Sequence, residues 1–88
     1  MKQSIIDFAK KYNIDSFEYD DKFSEKDNLI SAVHLLFLMN RKYEYDNDDY
    51  YGIQFGPCRG ILNGEQEKDI MKLDMGIMIK VDINEVIR

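Results

Sequence analysis

Cysteine, histidine and proline each occur once in this 88-residue chain, and tryptophan and threonine do not occur at all. With Cys58 alone, an internal disulfide is excluded, which fits a reducing compartment. Nucleophilic catalysis needs a nucleophile beside a base. The candidates are few: His34, Cys58, Ser4, Ser16, Ser24 and Ser31. Ser4 and Ser24 read as helix caps, and His34 reads as a residue on the polar face of a helix. Cys58 sits in a Gly-Pro-Cys-Arg-Gly turn, where turn amides and Arg59 would lower its pKa. An unpartnered cysteine in a turn is nonetheless a thin basis for reactivity. No CxxC, no HxxxH, no glycine-rich phosphate loop and no catalytic carboxylate pair is present, so neither an enzyme nor a cofactor is expected. One proline and five glycines are too few for a linker or a disordered tail. No apolar run approaches the roughly 20 residues of a membrane span. Met1-Lys2-Gln3-Ser4 leads into a helix carrying Asp7 rather than into a signal-peptide core. The expectation is one cytoplasmic domain over residues 1–88.

Clustered base is also lacking. The net charge is −5, and the cations are scattered or paired, as in Lys10-Lys11 and Arg41-Lys42. Direct nucleic-acid binding needs Lys/Arg patches on the phosphates and is not expected. The acids, in contrast, are bunched. Asp15, Glu18, Asp20, Asp21, Glu25 and Asp27 face only Lys22 and Lys26 in their segment. Tyr43-Glu44-Tyr45-Asp46-Asn47-Asp48-Asp49-Tyr50-Tyr51 holds four carboxylates and four tyrosines with no base. Carboxylates alone make a solvated loop. Tyrosines at that density add stiff amphipathic area of the kind that interfaces use as anchors. The candidate partner-binding residues are therefore Tyr45, Asp46, Asp48, Asp49, Tyr50 and Tyr51, with Glu18, Asp20 and Asp21 from the other cluster. A calcium loop of the EF-hand type is not supported, and no metal is expected. Aligned from Asp46, the fifth, sixth and twelfth positions are Tyr50, Tyr51 and Pro57, where ligand, glycine and glutamate belong.

Periodicity predicts an α+β domain. Ile5, Phe8, Ala9 and Tyr12 form one stripe of a helix over about 4–12, capped by Ser4, with Lys10 and Lys11 at its end. A short strand is expected at Ile14–Tyr19. Ser24 and Asp27 resemble a capping box opening a long, nearly all-apolar helix over about 25–43. Its polar face is narrow: Asp27, Ser31, His34, Leu38, Arg41 and Lys42. So broad an apolar arc is either covered on two sides or part of a homodimer, with Leu35, Leu38 and Met39 as the self-association residues. Tyr51–Phe55 alternates as a strand, Gly56–Gly60 reads as a turn, and Asn63-Gly64 is a two-residue hairpin signal. Hydrophobes at every odd position from Met71 to Ile83 predict a strand buried on one face, firm over Ile77–Ile83. Glu65–Met75 has an equal rival reading as a helix stopped by Gly76. The helix is expected to pack on a small antiparallel sheet.

In size and charge the chain resembles small acidic proteins encoded by phages and mobile elements. These include anti-CRISPR and other anti-defence nuclease inhibitors, and the immunity proteins of nuclease toxins. No motif is shared, so the resemblance assigns no residues. It implies an inhibitor acting as a nucleic-acid mimic on a basic partner such as a nuclease. The alternative is a homodimeric structural or regulatory α+β domain without catalytic activity.

Overall fold

The computed structural model describes residues 1–43, 49–73 and 78–81. Among these residues the chain is α+β, with three α-helices and a three-stranded antiparallel sheet. The elements are α1 (Lys2–Lys11), α2 (Glu25–Met39), a 3₁₀ turn (Asn40–Tyr43), β1 (Tyr50–Phe55), β2 (Cys58–Asn63), α3 (Gly64–Leu73) and β3 (Met78–Lys80). The strand order is β2-β1-β3. No helix among the described residues is long and apolar enough to cross a membrane.

Helix α1 begins at Lys2, and its N-cap Met1 makes no side-chain cap bond, so Ser4 is not the cap. Ile5, Phe8 and Ala9 are buried as the stripe predicts. Its end explains why no strand follows. Asn13 adopts φ 56°, the left-handed conformation that asparagine tolerates after a helix. The Asn13 N–H then donates to Lys10 O and the Ile14 N–H to Ala9 O, the paired bonds of a Schellman motif. That reversal drives Ile14 back into the core, 3% exposed. The chain continues through turns, with Asp15 N–H donating to Asn13 O and Phe17 N–H to Ile14 O. An extended Ile14–Tyr19 is incompatible with this path.

Helix α2 is the spine, but it is shorter and less apolar at its surface than expected. Ser24 Oγ accepts the Asp27 N–H at 3.0 Å, so the cap forms. The regular helix stops at Met39, where Asn40 turns inward and the chain tightens to 3₁₀ geometry. Leu29, Ala32, Val33, Leu36 and Phe37 are buried, an ordinary i, i+3, i+4, i+7, i+8 stripe. Ile30 and Leu35 are half-buried, while Leu38 and Met39 are 49% and 44% exposed.

The sheet contacts α2 through the face carrying Ile53, Phe55, Gly60 and Leu62. Pairing Ile53↔Gly60 and Phe55↔Cys58 leaves Gly56-Pro57 as the hairpin loop. Gly56 has φ 56°, and a positive φ followed by proline is the pattern of a type II′ turn. Cys58-Arg59-Gly60 therefore belongs to β2, not to the turn. Gly60 sits directly under Phe37: a Cβ there would lie 2.1 Å from its Cγ and 2.4 Å from its Cβ. Ile30 rests on the hairpin loop at Gly56, so α2 runs alongside β2 from loop to strand end.

Asn63-Gly64 does not make a hairpin. Asn63 Oδ1 accepts the Gln66 N–H at 2.9 Å, and Gln66 Oε1 accepts the Asn63 N–H at 3.0 Å. This reciprocal pair is a capping box, and it starts α3. The helical reading of residues 65–73 thus wins, and Met71 lies exposed. In β3 the odd-position rule also fails. Met78 pairs with Phe55 and so shares the core-facing side, while Ile79 pairs with Gln54 and is 57% exposed. Residues 74–77 and 82–83 of the expected long strand lie outside the described residues.

Candidate functional site

Three side-chain amides build the end of α2 at which the acidic tyrosine segment begins. Asn40, the C-cap, is 5% exposed. Its Nδ2 donates to Ile61 O at 3.0 Å and to Gln66 Oε1 at 2.7 Å. With Asn63 this network ties α2, β2 and α3 at one point, and every buried polar side-chain atom among the described residues has a partner. It also occupies the Ile61 carbonyl and the Asn63 N–H on β2, the outer strand of the sheet.

From this anchor the 3₁₀ turn delivers Tyr43 onto Tyr50 at the start of β1. The rings stack with centroids 4.5 Å apart and planes 11° from parallel. The flanks of the acidic segment are thereby held together. Lys42 Nζ lies 4.9 Å from the Tyr43 ring centroid. On the core-facing side of the sheet, near the start of the central strand β1, Tyr51 is 43% exposed and carries Lys80 Nζ at 5.1 Å from its ring. Lys80 also pairs with Glu67 at 3.0 Å. Asp49 is exposed just before β1. Of the residues proposed from sequence, Asp49, Tyr50 and Tyr51 share this rim. Tyr45, Asp46 and Asp48 lie outside the described residues. Tyr51 shares the parity of buried Ile53 and Phe55 yet stands at the surface, whereas Tyr50 is partly covered by its stack.

The second acidic cluster is elsewhere. Glu18, Asp20 and Asp21 precede the N-terminus of α2, and the tyrosine rim follows its C-terminus. Fifteen helical residues separate them, roughly 22 Å at 1.5 Å per residue. The structure does not bring the two clusters together. Asp20 is occupied with the fold: its Oδ1 accepts the Lys22 N–H, and its backbone N–H and C=O both bond the buried Asn28 amide. Asp21 pairs with Lys2 at 2.9 Å, which raises the Lys2 pKa through that hydrogen bond. Glu18 is exposed.

A polar cluster that sequence reasoning missed joins α1 to α3. Asp69 accepts hydrogen bonds from Lys11 Nζ, at 2.7 Å, and from the Tyr12 hydroxyl. Lys11 also reaches Glu65 at 3.1 Å, and Lys72 lies 4.0 Å from Asp69. The Lys11 and Tyr12 bonds hold the Asp69 carboxyl below its ordinary value. Burial first, then the bond to Asp69, pushes the Tyr12 phenol up. Beside it lies a groove of about 220 Å³ with Phe8 and Leu73 among its lining residues, smaller than the usual ligand pocket. Only the helical spacing of Glu65, Asp69 and Lys72 hinted at this cluster; its α1 half is 57 and 58 residues away in sequence.

Cys58 is half-buried, and burial pushes its thiol up, opposite to the activation expected in a turn. His34 is exposed on α2. Among the described residues no three His, Cys, Asp or Glu side chains gather as metal ligands. No family model, no curated protein and no solved structure matches this chain.

Proposed function

We propose that the protein is a small acidic interaction domain that masks a basic, nucleic-acid-binding partner such as a nuclease. The binding edge is the rim formed by Asp49, Tyr50 and Tyr51 with the adjoining acidic segment. Its carboxylates stand in for phosphates against Lys and Arg, as charge-assisted hydrogen bonds allow. The Tyr43–Tyr50 stack at the root of the segment carries the reading. It pre-organises aromatic area beside an unusually acidic stretch, which lowers the ordering cost of binding there. Tyr43 and Tyr51 each already hold a lysine ammonium over the ring, a geometry in which a partner's arginine could replace an exposed lysine.

The test begins with capture of partners on the immobilised protein at low and high salt, followed by binding kinetics with the protein recovered. Replacing Asp46, Asp48 and Asp49 together by Asn should slow association and flatten its salt dependence, because charge mainly steers encounter. Replacing Tyr51 by Ala should speed dissociation, by about 1–3 kcal/mol if it is an anchor. Unchanged association after the triple replacement, in a variant that still folds, would remove the phosphate-mimic reading.

A further inference from the structure

Glu67 carries its charge where charges are rarely found. Its side chain is 11% exposed and belongs to the first turn of α3. A carboxylate this far from water is costly unless a cation meets it. That cation is Lys80, whose Nζ lies 3.0 Å from Glu67 Oε1 and 5.1 Å from the centre of the Tyr51 ring. Lys80 pairs with Ile53, and Tyr51 lies two residues before Ile53 on β1, so both project from one face of the sheet. The three parts are not held equally. Glu67 stands on a helix whose capping box is tied to β2, and Tyr51 stands on the central strand. Lys80 ends a three-residue strand at the sheet edge, and its side chain is 65% exposed. The lysine is the part that can leave. The N-terminal end of α3 favours negative charge in its first turn, which supports the Glu67 carboxylate while one cation is exchanged for another. The contacts of Lys2 and Lys11 with tyrosine lack this combination. Asp21 beside Lys2 is 77% exposed, and Asp69 beside Lys11 is also held by the Tyr12 hydroxyl.

We infer that Glu67 and Tyr51 form a recognition site for an arginine side chain of another protein, and that Lys80 fills this site in the free chain. A guanidinium suits the pair better than an ammonium does. Its planar fork donates two parallel hydrogen bonds to a carboxylate, its flat face stacks on an aromatic ring, and it is more weakly hydrated. Lysine brings a point charge without the fork or the face. The inference deepens the masking reading, on which its use by a partner rests. It names a carboxylate on α3, outside both acidic segments, as the group that receives the partner's cation at the Tyr51 rim. Lys80 then acts as an internal competitor. A partner's apparent affinity for the site is reduced by the fraction of molecules in which Lys80 occupies it.

Titration with an acetylated, amidated Gly-Arg-Gly peptide, followed by the NMR shifts of the Tyr51 ring, tests this without a captured partner. Wild-type protein should bind the peptide in the millimolar range. Lys80→Met keeps the stem but removes the competing charge, and should tighten binding about tenfold. Lys72→Met makes the same charge change at another exposed lysine and should leave binding unchanged. Lys80→Arg should weaken binding, because a guanidinium then fills the site from within the chain. Glu67→Gln should abolish the response, and a citrulline peptide, similar in shape but uncharged, should give none. The absence of a Tyr51 response in wild-type protein overturns the inference. Equal tightening by Lys72→Met overturns it, as does undiminished binding by Lys80→Arg, by Glu67→Gln or of the citrulline peptide. Should Lys80→Met fail to fold, the two near-isosteric variants, Lys80→Arg and Glu67→Gln, decide the matter. Partner capture at low and high salt is a separate measurement, so failure of the masking reading and failure of this one are told apart.

Discussion

Gly60 fixes how closely α2 approaches the sheet, and replacing it by alanine measures the stiffness of that contact. A Cβ at this position would meet Phe37 Cγ at 2.1 Å, Cβ at 2.4 Å and Cδ1 at 2.5 Å. The ring could in part be relieved by a new rotamer. The Cβ could not, because it is fixed to the α2 backbone, so helix and strand must separate by about 1 Å to reach ordinary contact. That separation opens gaps around Val33, Leu36 and Phe37, all buried. Overpacking of a tight core costs typically 1–3 kcal/mol, and a backbone shift belongs at the upper end. Alanine regains about 0.4–1 kcal/mol by restricting the unfolded chain. The net destabilisation is about 2–3 kcal/mol, a large share of what a domain of this size holds. Urea unfolding should show it as a lower midpoint at unchanged slope, and heating as a midpoint about 10–20 °C lower. Phe37→Leu should not rescue it, because leucine keeps the Cβ. Gly64→Ala is the matched control. Nothing lies within 4 Å of that position, at the start of α3, so the same substitution should be neutral or slightly stabilising there. A loss below about 1 kcal/mol for Gly60→Ala, or full rescue by Phe37→Leu, would refute the claim that backbone approach sets this contact.

Two further predictions concern the polar groups that join the helices. Asn40→Leu should cost about 2–3 kcal/mol in urea unfolding, since it leaves the Ile61 carbonyl without its side-chain donor beside a buried amide; a neutral result would mean that water replaces the donor without loss. The Asp69 carboxyl is held below its unfolded value chiefly by Lys11 and then by Tyr12, so its contribution is complete above the unfolded carboxylate range, near about pH 4, and is lost as pH falls through the lower folded value. Thermal midpoints of wild-type protein and Asp69→Asn should therefore differ at neutral pH and converge in acid, and curves that stay parallel through the acid range would exclude this carboxylate as the source.

The elements legible in the sequence were those whose cause is local. The α1 stripe, the Ser24 cap and the β1 alternation each depend on residues within a few positions of one another. Errors arose where one dipeptide or one period admits two outcomes. Asn63-Gly64 reads as a turn until Gln66 is counted, because the same asparagine that favours a hairpin also caps a helix with glutamine three residues later. Asn13 gave a similar signal that was missed: asparagine after a dilysine helix end is suited to the left-handed cap that turns Ile14 inward. The alternation of Met71 to Ile83 could not reveal that α3 takes Met71 and Leu73, nor that pairing with β1 fixes the parity of Met78–Lys80. The Lys11–Tyr12–Asp69 cluster joins residues that only the finished fold brings together. Its components carry no local mark beyond the carboxylate spacing on α3.

For function, the geometry separates two acidic segments that the sequence presents as equivalent. In the first, Asp20 serves the loop around Asn28 and Asp21 is paired with Lys2. These carboxylates have roles within the fold and are only partly available to a partner. In the second, the flanking tyrosines are stacked and Tyr51 stands at the surface, and among the described residues none of the three belongs to the buried core. The stacked pair Tyr43 and Tyr50 is half-buried and stands outside the core cluster that holds Ile53, Phe55 and Leu62, and its stacking reduces the freedom that the segment between the two rings would give up on binding. The preference for the tyrosine rim over the N-terminal cluster therefore follows from what each set of side chains already does within the folded chain. Charge content alone would not distinguish them.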